Sequence, residues 1–417
     1  MRRIPGVHDQ CRTTLTADAS SMRRRCVGIA MAAVMRDAVA LSAGCSMGYA
    51  HKGVAALALL ALATPALAEN APQDVFDEFK TLDEGKWYVC KRPENEGVEN
   101  NFQPDIPLPT GAAGLKLGIR PPPNAVMLAE KLHKSCMPQG AAGDHTERAE
   151  IWEQDCLYEK YGWEIWQKFS LFVDPLAEPA KDRLVIGQWK KGKPAALSPC
   201  TGAVTASALP LPKPKKPSDD WGPSPFLALR FERREFSITI EQQDFSKQAS
   251  SETDECRITL AVDEARPLNY LRVLQHGGVK APNQTVLVRM QQAAGDPGAF
   301  VPDAVEAQAS CMRGVEIKRF AALPKPFGQW VMLQIHFHIE GGLGAGGASG
   351  DLVEIWADGT MIATASGRIG TAPHANLTGA LVTPQYFKFG PYRDPERWPL
   401  TAWIAHYSKA HREVDLR

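Results

Sequence analysis

The sequence predicts an all-β fold, a sandwich of two antiparallel sheets with long loop insertions. Three observations point there. Apolar and polar residues alternate with period two over many short runs, long helical periodicity is scarce, and Gly- and Pro-rich turns separate the runs. No internal repeat is evident, and large β-sandwiches reach this length as one unit.

In chain order, the first feature lies outside that fold. His51-Lys52 precede an apolar run over 54–63, and Ala66-Leu67-Ala68 follows. A basic start, a short apolar stretch and an Ala-x-Ala ending make a secretory signal peptide. The run is too short to span a bilayer. A signal peptide begins its chain, so it is assigned to 47–68, opening at Met47. The Arg-rich residues 1–46 read as an over-long leader, with a genuine targeting extension as the alternative. Cleavage after Ala68 leaves one domain at 69–417, expected in the periplasm or outside the cell.

Cysteine usage agrees with export. Cys90, Cys136, Cys156, Cys200, Cys256 and Cys311 fall in the mature part, an even set with no Cys-x-x-Cys pair. Disulfides are therefore expected rather than zinc or dithiol chemistry, with the pairing open.

The alternating runs at 164–173, 226–231, 236–242, 331–339 and 353–356 are the main expected strands, and Asp358-Gly359 suits a hairpin turn. Two stretches read as insertions. Residues 193–225 contain Pro210-Leu211-Pro212-Lys213-Pro214-Lys215-Lys216-Pro217, which excludes a central strand. Residues 282–314 look similarly irregular. Cys200 and Cys311 lie in these insertions, so disulfides are expected to tie them to the body. The glycine-rich 341–350 reads as a hairpin tip, since no strand-to-helix context makes it a phosphate loop.

Lys and Arg number 47, as do Asp and Glu, so no global field points to nucleic acid or a membrane surface. Basic groups would have to cluster locally to hold an anion, and three strands offer that. In the run from Gln385 to Arg393, Tyr386, Lys388, Gly390 and Tyr392 share one face while Phe387 and Phe389 share the other. Around 146–152, Arg148, Glu150 and Trp152 share a face. Arg148 offers a planar fork suited to a carboxylate, and Glu150 can hold it in place. Around 184–190, Gln188 and Lys190 share a face. Taken singly, each is equally well read as a half-buried strand, a cross-strand ion pair or a solvated strand end.

In this order, Arg148-Ala149-Glu150-Ile151, Val185-Ile186-Gly187-Gln188-Trp189-Lys190 and Tyr386-Phe387-Lys388-Phe389-Gly390-Pro391-Tyr392 resemble the jelly-roll polysaccharide lyases. The likeness is to the heparin lyase I-like and glucuronan lyase-like group, and more distantly to alginate lyases. Those alginate lyases carry an Arg-x-Glu strand, a Gln-Ile-His strand and a Tyr-Phe-Lys-Ala-Gly-x-Tyr strand. The resemblance spans roughly residues 76–407 and implies a concanavalin A-like jelly roll. It also implies β-elimination at a uronic acid in an anionic polysaccharide. A base takes the proton beside the carboxylate, neutralisation of that carboxylate stabilises the enolate-like intermediate, and an acid protonates the leaving oxygen. By the same resemblance, Tyr392 is the catalytic acid and also a candidate base. Gln188 and Arg148 neutralise the carboxylate, and Lys388 and Lys190 supply positive charge. Glu150, Tyr386, Arg393 and Trp189 line the substrate. No cofactor is required, a structural calcium is left open, and a monomer is expected.

The sequence departs from the family at Lys190, where a histidine stands in the pattern. Lysine neutralises well but is a poor base unless burial lowers its pKa. His145 near the Arg strand is one substitute. Gln334-Ile335-His336, with His338 on the same face, is another, although its position fits a late hairpin. Two other classes compete with a lyase. A jelly-roll glycoside hydrolase is suggested by Glu153-Gln154-Asp155-Cys156-Leu157-Tyr158-Glu159, whose last Glu falls one residue too far for the usual strand. A glycan-binding module without catalysis is suggested by Lys190.

Overall fold

Two antiparallel sheets face each other in the jelly-roll arrangement. The computed structural model describes residues 74–417 apart from 90–113, 120–146, 177–183, 198–224, 244–254, 277–281, 341–349 and a few shorter gaps. The leader, the signal peptide, the boundary at Glu69, His145, Cys90, Cys136, Cys200 and most of the 193–225 and 341–350 stretches fall outside the described residues.

The first sheet runs from Trp87–Val89 through the broken edge Glu147–Arg148, Ile151–Glu153 and Glu159–Lys160 to Pro384–Arg393. It continues through Leu184–Lys191, Leu227–Glu232, Glu235–Gln243, Glu255–Val262 and Tyr270–His276. In the second sheet, Leu400–Ala410 pairs with Val75–Asp77, Leu115–Ile119 and Glu164–Val173. Val331–His338, Leu352–Ala357, Thr360–Gly367 and Val315–Arg319 follow. The strand Gln284–Ala293 joins the sheets: its first part pairs with Tyr270–His276 and its last part with Asp296–Pro302.

The alternation expected from sequence decides what is buried. Phe169 of the second sheet meets Phe387 of the first at 5.4 Å between ring centroids, and Trp189 meets Phe337 at 6.4 Å. Phe387 and Phe389 are fully buried. At an apolar burial value of ~25 cal/mol per Å², such inward aromatics dominate the packing energy. The Asp358-Gly359 turn forms as expected. Both residues have positive φ (48° and 79°), the geometry that matches the twist of two paired strands.

Residues 282–314 require a correction. They form the strands Gln284–Ala293 and Asp296–Pro302 and the helix Ala304–Ala309, capped by the Asp303 carboxylate on the Val305 and Glu306 amides. Most side chains of Gln284–Ala293 face solvent, and its apolar face is short, with only Val288 and Met290 buried and the exposed Leu287 between Val286 and Val288. The expected tie does exist here: Cys311 is bonded to Cys256, with Cα atoms 5.7 Å apart. Cys156 is also disulfide-bonded.

A polar network lies inside the sandwich. Lys409 Nζ, fully buried, donates to Glu153 at 2.8 Å and meets Glu159 at 3.2 Å, and His411 meets Glu159 at 3.2 Å. Tyr407 also donates to Glu153, at 2.6 Å, and accepts from Gln167 at 3.0 Å. Buried charge of this kind is tolerated because each ion has partners.

Candidate active site

Residues directly opposite in paired strands project to the same face. Pro384–Arg393 has Leu184–Lys191 on one side and the broken edge on the other. Lys388 stands opposite Gln188 and opposite Trp152, Tyr386 stands opposite Lys190, and the backbone register sets Arg148 opposite Tyr392. The three motifs, scattered from 148 to 392 in the chain, therefore meet on adjacent strands of one sheet. Their shared face lies away from the core that holds Phe387 and Phe389.

A bulge makes this possible. The register shifts by one residue between Phe389 and Tyr392. Gly390 sits there at φ 124°, and a Cβ built on it would lie 2.0 Å from the Ala149 carbonyl oxygen. Only glycine accepts both the dihedral and the approach. Pro391 has no N–H to contribute, and its carbonyl takes the Ala149 amide at 2.9 Å.

Around that bulge the side chains are held. Gln188, buried, donates from Nε2 to Glu150 Oε1 at 2.7 Å. Glu150 thus orients Gln188, a role the sequence reading had given it toward Arg148. Lys388, also buried, carries its ammonium 3.5 Å from the Trp152 ring centroid and 5.7 Å from that of Tyr386. Tyr386 in turn stacks on Tyr158 at 4.7 Å. Burial, and then the neighbouring Tyr386, push the Tyr158 phenol well above its ordinary range, so it stays protonated. Lys190 and Tyr392 are half-buried on the same face.

Two expected substrate contacts point elsewhere. Trp189 is 1% exposed; its ring packs on Phe387 at 4.6 Å and its indole N–H donates to Gln167 inside the sandwich. Odd and even positions of a strand face opposite ways, and Trp189 falls on the core side of Gln188. Arg393 is likewise buried, donating to the Trp398 carbonyl and lying 4.3 Å over its ring. Neither is available to a ligand on the Gln188–Lys388 face.

Sequence reasoning missed Tyr158 and a cationic cluster further along the face. Tyr158 follows a single 3₁₀ turn at Asp155–Leu157 and so carries no periodic signal. The cluster was partly legible from alternation: Glu241, buried, accepts from Arg230 and Arg257, both at 2.7 Å. Arg230 and Glu241 lie on the polar side of strands whose apolar side was recognised, while Arg257 lies on Glu255–Val262, which was not among the expected strands.

The competing candidates sit apart. Gln334, His336 and His338 belong to the second sheet, where His336 stacks on Trp166 at 4.0 Å and meets Glu354 at 2.8 Å and Glu164 at 2.5 Å. The strand pairs with Leu352–Ala357, as expected for the late hairpin. Glu153 and Glu159, the candidate hydrolase pair, are committed to Lys409 in the interior. Among the described residues no cluster of His, Cys, Asp and Glu suits a metal ion, and no helix is long and apolar enough to cross a membrane.

Comparison with known proteins follows the same line. The family model described as polysaccharide lyase matches residues 110–410. No curated protein matches by sequence. Among solved structures, the endo-β-1,4-glucuronan lyase from the fungus Trichoderma reesei is 11% identical, with a TM-score of 0.33 over 82% of this chain and 92% of its own. The family 7 alginate lyase A1-II′ is 9% identical, with a TM-score of 0.33 over 81% of this chain and 97% of its own. The cellulose induced protein Cip1 is 9% identical, with a TM-score of 0.32 over 81% of this chain and 97% of its own. Scores this low carry no argument, and the family assignment rests on the sequence match.

Proposed function

The chain belongs to the polysaccharide lyase family, and from that premise we propose that it cleaves a uronic-acid-containing polysaccharide by β-elimination on the Gln188–Lys388–Tyr392 face. The observation that carries this reading is the register. It brings an amide, an ammonium and a phenol onto one face of adjacent strands, with the Arg148 position opposite the phenol.

The chemistry assigns the roles. The proton beside a uronate carboxylate is weakly acidic, and its loss places charge on that carboxylate. Donors already fixed in place stabilise the charge without reorganising. Glu150 takes one N–H of Gln188 and leaves the rest of that amide to be aimed at the substrate. Lys388, held on Trp152 and buried, supplies positive charge where solvent screens it little. Tyr392 takes the proton beside the carboxylate and returns one to the leaving glycosidic oxygen. Lys190, opposite Tyr386, serves as a neutraliser. No water attacks, so the reaction needs no pair of facing carboxylates.

Export fits the same reading. The Cys256–Cys311 disulfide suits an oxidising compartment, and the family match begins well after the expected cleavage at Ala68. The domain is taken as 69–417.

The deciding experiment incubates the protein with a panel of acidic polysaccharides and follows the ultraviolet absorbance of unsaturated uronate ends. New absorbance with at least one polyuronate supports the reading. Binding without new absorbance would instead support the second reading, a glycan-binding module, which the lysine at position 190 favours.

A further inference from the structure

The row that holds Lys388 and Gln188 continues strand by strand across the sheet, with register shifts next to it at Leu229/Arg230 and Ile238/Thr239. Gln188 stands opposite Ala228, Ala228 opposite Thr239, and Thr239 opposite Thr259. Arg272 Nε reaches Thr259 Oγ1 at 3.4 Å, and Arg272 stands opposite Leu287 on the next strand. At ~4.8 Å per strand, Arg272 lies roughly 19 Å from Gln188 along this row. There a pocket opens, lined by Glu235, Thr259, Tyr270, Arg272, Leu287 and Arg319.

We propose that this pocket is a distal subsite for a carboxylate-bearing sugar of the same polysaccharide chain, with Arg272 as its anion contact and Glu232 as the group that the sugar's carboxylate displaces. The proposal rests on the polyuronate reading above. It extends that reading by requiring a substrate that spans from the reacting bond to the far edge of the sheet.

Four observations support it. Arg272 is anchored from one side by the buried Glu235 at 2.9 Å, while its Nη1 meets Glu232 at 2.6 Å. Glu232 is 53% exposed while Arg272 is 15% exposed, so the carboxylate side of the pair faces solvent, where an incoming carboxylate can replace it and keep Arg272 paired. Arg319 enters from the other sheet, 1% exposed, and its hydrogen bonds go to the Leu260, Thr259 and Tyr270 carbonyls. It adds a fixed positive charge, with the buried Glu235 carboxylate also acting on it. Burial lowers its pKa only to about 10, so it stays charged at neutral pH. At the mouth, Tyr270 and Leu287 are 46% and 55% exposed. A phenol ring and a leucine there offer the C–H face of a pyranose a surface to lie on.

The test measures kcat/KM, and binding by calorimetry, for purified oligouronates of increasing length. Wild type, Arg272→Gln, Tyr270→Ala and Glu232→Gln are compared. In wild type, kcat/KM and affinity should keep rising until the oligomer reaches the pocket. Arg272→Gln should reduce the long-to-short ratio about tenfold, the loss of one charge-assisted contact. Tyr270→Ala should reduce it as well, and because Tyr270 is half exposed its fold is not at risk. Glu232→Gln should raise the ratio, an effect that a merely structural ion pair would not give. Length dependence that survives both Arg272→Gln and Tyr270→Ala would overturn the subsite. If no polyuronate is cleaved, the catalytic reading fails, and unchanged oligomer affinity in the two variants would then overturn the subsite on its own.

Discussion

Gln188 donates to Glu150 at 2.7 Å, both side chains buried beneath the face that carries Lys388. An amide can rotate between two faces, and the carboxylate selects one. Gln188→Ala is expected to lower kcat by roughly a hundredfold, the usual cost of one lost donor at a developing anion. Glu150→Gln should cost less, about tenfold, and mostly in kcat, because it loosens aim without removing the donor. Steady-state rates on the polyuronate found active would check both. Equal loss of kcat and of substrate affinity would mean that Gln188 binds ground state and transition state alike.

Tyr392 is half-buried opposite the Arg148 backbone position. Tyr392→Phe removes the proton donor and almost no volume. Turnover should fall by roughly 10³-fold, within the range for general acid–base groups, while calorimetric binding stays close to wild type. Retained turnover would remove Tyr392 from the chemistry.

Lys190 stands opposite Tyr386 and is assigned neutralisation alone. Lys190→His should therefore keep or raise kcat/KM, and Lys190→Ala should lower it. An inactive His variant beside an active Ala variant would refute that role.

Gly390 marks the bulge that keeps Tyr392 on the active face. Gly390→Ala is expected to cost about 1–3 kcal/mol from backbone strain alone, with more from the clash at the Ala149 carbonyl. Chemical denaturation should show a lower midpoint, and the surviving folded protein should be less active because the strand has shifted. A stable, fully active Gly390→Ala protein would show that the bulge is dispensable.

The interior network sets a pH window for stability. Burial pushes the Glu159 carboxyl up, but Lys409 and His411 outweigh it and hold it below the ordinary carboxylate value. A depressed folded pKa contributes stability above the unfolded value and loses it as pH falls through the folded one. Burial pulls Lys409 down, but Glu153 and Glu159 outweigh it and hold it above its ordinary value. That contribution is present below the unfolded lysine pKa and is lost as pH rises through the folded one. Lys409→Met, which strands two buried carboxylates, should cost about 3–5 kcal/mol at neutral pH. The difference in Tm from wild type should shrink in acid, where the carboxylates protonate. A constant difference across pH would argue that the cost is packing alone.

The sequence by itself determined the fold class and the facing of the strands. Period-two alternation is a local property, so it was readable wherever one face is buried, as at Phe387 and Phe389 against Lys388. It was short in Gln284–Ala293, where the exposed Leu287 interrupts the Val286, Val288 and Met290 pattern, and silent for Tyr158, which lies beyond a 3₁₀ turn. Alternation also bore on Trp189 and Arg393, since each falls on the opposite face from its polar neighbour. Their assignment to the substrate came from adjacency in the chain, which a strand reverses. Only the tertiary structure decided which polar faces meet. Register between strands some two hundred residues apart, such as Lys388 with Gln188, depends on the bulge at Gly390 and on packing between two sheets, and neither is a local property. The same holds for Glu150, whose partner proved to be Gln188 across the sheet. It holds too for Arg272 and Arg319, which reach one pocket from different sheets.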